Sequence, residues 1–159
     1  MKTSITIILF LIVSVAHGQN MFETKNTNCN ATAFFLEGKE ISAAKDLSAL
    51  LTEILSPIEA SKVEELRGII KLQIFVDSLG NACCVSMQNE MNKAAKKIDF
   101  ANIISQNTRW TTPIREGKSA SICTIIILEF TNDKIIIQRQ GFNTKLGGYI
   151  VLASFELLK

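Results

Sequence analysis

Residues 41–55 repeat their apolar side chains at helical spacing, with Ala44, Leu47, Leu50, Leu51, Ile54 and Leu55 on one face and Lys45, Asp46, Ser48 and Glu53 elsewhere on the wheel. This pattern predicts an amphipathic helix that stops at Ser56-Pro57, where the residue before proline is driven out of helical backbone. Residues 59–67 have room for one more short helical turn. From Gly68 the period changes to two: Ile70, Leu72, Ile74 and Val76 alternate with Lys71, Gln73 and Asp77, which predicts a strand with one buried face. Asp77-Ser78-Leu79-Gly80-Asn81 has turn composition, so residues 82–88 are expected to return as the antiparallel half of a hairpin. Ala95, Ile98, Ala101, Ile103 and Ile104 predict a weakly amphipathic helix over 92–107, lying across the sheet. Residues 119–130 read as a second long strand, with Ile122, Ile126, Leu128 and Phe130 on one face and Cys123, Ile125 and Ile127 on the other. A strand apolar on both faces must be covered on both. Residues 134–139 and 149–158 read as two further strands, separated by a loop carrying Gly141, Gly147 and Gly148.

The N-terminal end has a different character. Lys2, an apolar run over 5–15 and the small residues around Ala16-His17-Gly18 read as a cleavable export signal over 1–18, with the mature chain starting near Gln19. The run is shorter than the roughly 20 apolar residues a membrane-spanning helix needs, so no stable membrane insertion is expected after cleavage. Cys29 lies too far from the run to serve as a lipid-anchor site. Residues 19–39 are polar, rich in Asn and Thr and aperiodic, which predicts a mobile arm; residues 40–159 are long enough for a single domain with its own core. The formal net charge is +2, and the basic cluster Lys93, Lys96 and Lys97 reads as a solvated helix face. No nucleic-acid partner is expected.

Side chains suited to catalysis are sparse. The single histidine, His17, leaves with the signal, so the mature chain would have no imidazole for general base catalysis or metal ligation. The cysteines, Cys29, Cys83, Cys84 and Cys123, show no C-x-x-C spacing. Cys83 and Cys84 are neighbours in a strand and point to opposite faces, so they cannot converge on one ion. Two readings stand for these residues: small apolar packing groups, or a disulfide from Cys29 to Cys83 or Cys84 in an oxidising compartment. Asp77, Glu90, Asp99, Glu116 and Glu129 are scattered, with no two at a spacing that joins their carboxylates on one element. No catalytic residue, cofactor or metal is therefore expected. Asn30-Ala31-Thr32 is a glycosylation sequon, meaningful only in a eukaryotic secretory pathway.

Gly68, Val76-Asp77, Gly80, Trp110 with Pro113, Gly117-Lys118 and Phe130 follow one another in an order that resembles the TonB C-terminal domain and the TonB-like domains of exported bacterial proteins, over residues 57–130. The resemblance implies an α+β fold: a small antiparallel sheet in β-β-α-β order, here with an N-terminal amphipathic helix and extra C-terminal strands. It implies a non-catalytic protein-interaction domain of the cell envelope, located in the periplasm or secreted. Its partner would be an envelope protein or an outer-membrane receptor, added as a strand along the last strand of the domain. That edge would correspond to Ser119, Ser121, Cys123, Ile125 and Ile127; the helix over 41–55 is the other candidate surface. In the same family, energy transducers for receptor transport carry an uncleaved anchor and a Pro-rich spacer, whereas the prolines here are Pro57 and Pro113 alone. Two further alternatives are a secreted enzyme or small-ligand binder, using Asp77 or Asp99 and a pocket between the added strands and the helix, and a disulfide-stapled eukaryotic secreted protein. N-terminal sequencing of the exported chain is expected to begin near Gln19; a start at Met1 would retain the anchor and favour the transducer.

Overall fold

A computed structural model describes residues 20–31 and 33–159; the expected signal, His17 and Thr32 of the sequon lie outside the described residues. In chain order the elements are β1 (Thr24–Lys25), β2 (Phe35–Leu36), α1 (Leu47–Leu55), α2 (Ala60–Glu65), β3 (Gly68–Val76), β4 (Ala82–Met91), a 3-10 turn (Lys93–Lys97), α3 (Phe100–Asn107), β5 (Ile114–Arg115), β6 (Lys118–Ser119), β7 (Ile122–Phe130), β8 (Lys134–Asn143) and β9 (Gly148–Leu158). Seven strands form one sheet in the order β1-β4-β3-β7-β8-β9, antiparallel throughout except that β2 lies parallel to the start of β7. The class is α+β, as expected.

The alternation in β3 decides which face the helices take. Ile70, Leu72, Ile74 and Val76 join Ile122, Ile126, Leu128 and Phe130 of β7 and Ile135 and Ile137 of β8 in one buried layer. Onto it α1 lays Leu47, Leu50, Leu51 and Ile54, and α3 lays Phe100, Ala101 and Ile104. Full burial of each large apolar side chain contributes about 1.5–3 kcal/mol, so this layer is the main stabilising term of the fold.

Two helices differ from expectation at their starts, for the same reason. The helix expected over 41–55 begins only at Leu47, because the Asp46 carboxylate accepts the Ala49 amide at 2.8 Å and caps it there. The residues before it are held open by Arg139, whose Nη1 donates to the Ala43 and Lys45 carbonyls at 3.1 and 3.3 Å. The helix expected over 92–107 is broken into the 3-10 turn and α3. Ile98 is extended, and the Asp99 carboxylate takes the Asn102 amide at 3.0 Å to start a new helix.

Gly80 ties the β3–β4 hairpin to the segment after α3. Its φ is +85°, and its carbonyl accepts the Trp110 amide at 3.2 Å. Trp110 is buried beside it, its Nε1 donating to Thr108 Oγ1 at 3.2 Å, which in turn donates to Ile104 O at 2.7 Å. A Cβ at Gly80 would sit 2.4 Å from the Trp110 carbonyl oxygen. Backbone strain and overlap therefore act together, and Gly80→Ala is expected to destabilise by about 2–4 kcal/mol in urea unfolding.

Candidate functional site

The residues expected to form a partner-binding edge do not lie on one. Cys123, Ile125 and Ile127 are in β7, which is hydrogen-bonded to β3 on one side and, from Ile125 onward, to β8 on the other. The Ser121 carbonyl takes part in the β2 pairing, accepting the Phe35 amide at 2.9 Å, and Ser119 is exposed in the separate β5–β6 hairpin. The reason is visible in β7 itself: a strand apolar on both faces belongs in the interior of a sheet, and β8 and β9 fold back to place it there.

Of the stretch expected as a mobile arm over 19–39, the described residues 20–31 and 33–39 are instead fastened across the face of the sheet away from the helices. Gln73 and Ser86 are buried there as a cross-strand pair, with Ser86 Oγ donating to Gln73 Oε1 at 2.5 Å. They receive the arm's backbone: the Met21 amide donates to Gln73 Oε1 at 2.9 Å and the Phe22 amide to Ser86 Oγ at 3.2 Å. A bulge at Val85 then turns its carbonyl to the Asn26 amide at 3.0 Å, next to the β1–β4 pairing. Cys29 is bonded to Cys83, closing a separation of 54 residues, while Cys84 on the opposite face stays a free thiol in the core. Of the two readings left open for the cysteines, each holds for part of the set.

Further along, β2 wedges into the gap where β7 and β8 part. The Glu37 amide donates to Cys123 O at 2.9 Å, and the Phe142 amide donates to Glu37 O at 2.6 Å. Gly141 makes room for this approach, since a Cβ there would lie 2.6 Å from the Glu37 carbonyl oxygen. The Glu37 side chain is fully buried, takes the Ser42 hydroxyl at 2.6 Å and faces Arg139 at 3.8 Å. Such a pair must be held together, because a lone charge at this depth would cost several kcal/mol.

Residues 24–26 of the arm pair with residues 85–87 on the β4 rim at one end of the sheet, but nothing among the described residues pairs with the outer side of β9 at the other end. β9 is an 11-residue strand with Tyr149, Val151, Leu157 and Leu158 exposed. The Lys159 amide donates to Asp133 O, its opposite residue, at 2.8 Å, which sets the alternation of the ladder. Ala153, Phe155 and Leu157 accordingly turn their amides to β8, and Ser154, Glu156 and Leu158 turn theirs outward. β9 contains no proline, and its one charge, Glu156, is drawn into a 3.2 Å ion pair with Lys134. From Ala153 onward it has neither a proline nor a bulge, two of the usual devices that protect a sheet rim, and the bulge it does have lies earlier, at Leu152. Beside its C-terminal half, between the added strands and α1–α2, runs an apolar groove of about 610 Å³.

Two of the carboxylates singled out in the sequence, Asp77 and Asp99, serve the backbone. Asp77 accepts the Leu79 and Asn81 amides, each at 2.8 Å, and the Asn81 side chain at 2.9 Å. Burial works against its charge, but these hydrogen bonds outweigh it and hold the carboxyl below the usual range. Asp99 caps α3. Among the described residues no group of three or more His, Cys, Asp or Glu could hold a metal ion. No family model, curated protein or solved structure matches the chain.

Sequence reasoning missed the outer side of β9. The local signal is the shorter period-two run Ala153, Phe155 and Leu157, which marks a strand with one apolar face but not its place at the rim; Tyr149 and Val151 fall on the other face past the bulge at Leu152. The thiols give a direct check on the arm. Burial pushes Cys84 up to about 12 and Cys123 up to about 11, so neither should be alkylated in the native protein at about pH 8. Denaturation without reductant should expose two reactive thiols and reduction all four, with a stability loss of up to about 4 kcal/mol for a loop of this length.

Proposed function

We propose that this chain is an exported, TonB-like interaction domain of a bacterial envelope, without catalysis of its own, that takes up an extended segment of another envelope protein along β9. The observation that carries this reading is the bare outer side of β9, with the amides of Ser154, Glu156 and Leu158 directed away from the sheet. Strand addition satisfies those groups with main-chain hydrogen bonds and needs no reactive side chain. The TonB-like part of the reading is supported by the succession of β3, a glycine turn, β4, α3 and β7, with β3 between β4 and β7 in the sheet. The later strands β8 and β9 move the available rim two strands outward from the position the resemblance implies.

Linear peptides selected from a random display library on the folded protein test this. Ser154→Pro removes an outward amide without touching the β8 ladder, and is expected to weaken the selected peptides at least about tenfold. Methylating alternate backbone nitrogens of a selected peptide should do the same with the protein unaltered. Peptides that bind regardless of both changes, or a selection that yields no binder, would overturn the reading.

A further inference from the structure

The groove beside β9 lies on the helix side of the rim, and its apolar lining includes Leu51, Leu55, Ile58, Val63, Phe155 and Leu157. Its roof is unfinished. Helix α2 has no buried residue, and Leu55, Ile58, Val63 and Phe155 are only partly buried against the core. One more strand would lie about 4.8 Å beyond β9, next to these partly buried side chains.

We propose that this groove reads the side chains of the strand taken up along β9, selecting an extended segment of another protein with apolar residues at every second position. The inference rests on the proposed function and adds to it the chemistry of the partner. An added strand continues the pleat, so its alternate side chains fall beside Phe155 and Leu157, under α1 and α2, and the others fall beside Ser154 and Glu156 on the opposite face. The first set meets a mainly apolar wall, interrupted by the side chains of Ser48, Thr52 and Ser56. The charged residues on the groove rim are Glu64 and Lys159, and the Lys159 ammonium already donates to Leu66 O and Thr131 O at 3.1 and 2.9 Å. The second set faces water beside the Glu156–Lys134 ion pair, where polar residues fit. An acyl chain or a helix could fill the groove, but would leave the outward amides of Ser154, Glu156 and Leu158 without partners. An extended segment satisfies the groove and the rim together.

The test uses two synthetic peptides of about nine residues and identical composition: one alternates valine with threonine or lysine, and in the other the valines are adjacent. The alternating peptide is expected to bind the wild-type protein at least about tenfold more tightly. Val63→Lys and Leu157→Lys, each on an incompletely buried position and each checked by thermal melting, should erase that preference, and Ser154→Pro should weaken both peptides. Equal binding of the two peptides, both still sensitive to Ser154→Pro, would overturn the groove's role and leave the rim reading standing. Binding of neither peptide, or binding indifferent to Ser154→Pro, would overturn both. Sedimentation showing a concentration-dependent dimer that Ser154→Pro dissolves would also overturn the proposal, because the occupant would then be a second copy of this chain.

Discussion

The fold depends on one constraint: β7 is apolar on both of its faces, and both must be kept from water. The helix side is satisfied by α1 and α3, whose buried residues close over Ile122, Ile126, Leu128 and Phe130. The other side has no helix to cover it. There the polar N-terminal stretch is drawn in, and its backbone amides find acceptors on Gln73 and Ser86. Once β7 is placed between β3 and β8, the strands that follow have only one direction in which to add, and the sheet ends on β9.

This arrangement explains why polar residues are found where a packed interior would seem to exclude them. Gln73, Ser86 and Glu37 are buried because each answers a backbone or hydroxyl group brought by the N-terminal stretch or by the lead-in to α1. Arg139 reaches from β8 to that lead-in and opposes Glu37 at the same time. Polar groups of this kind bring directionality that apolar contacts lack, so the stretch crosses the sheet in one register.

Period and turn chemistry made most of the sheet legible in advance. The alternation of Ile70, Leu72, Ile74 and Val76, the Gly80 turn and the isoleucines of β7 each mark an element that is present where expected. What could not be read was long-range partnering. Gln73 looks like the solvated face of a half-buried strand, and nothing local to Gln73 reveals that the Met21 amide lies against it, 52 positions away. The same limit applied to the candidate site. The both-sided character of Cys123, Ile125 and Ile127 already argued for an interior strand, and the resemblance to a shorter family fold pointed to a rim that β8 occupies here. Helix starts were displaced for a smaller reason, since Asp46 and Asp99 compete locally for the first amides.

The Cys29–Cys83 bond does more than fasten a peptide to a strand. It keeps residues 24–26 laid along residues 85–87 on the outer side of β4, so that the middle of that rim is occupied by the chain's own backbone. A strand arriving at that rim must first displace a segment covalently tethered beside it, whereas the outer side of β9 has no such occupant among the described residues. The bond therefore makes the two ends of the sheet unequal: while it stands the middle of the β4 end is closed by a tethered segment, and reduction leaves that segment held by hydrogen bonds alone.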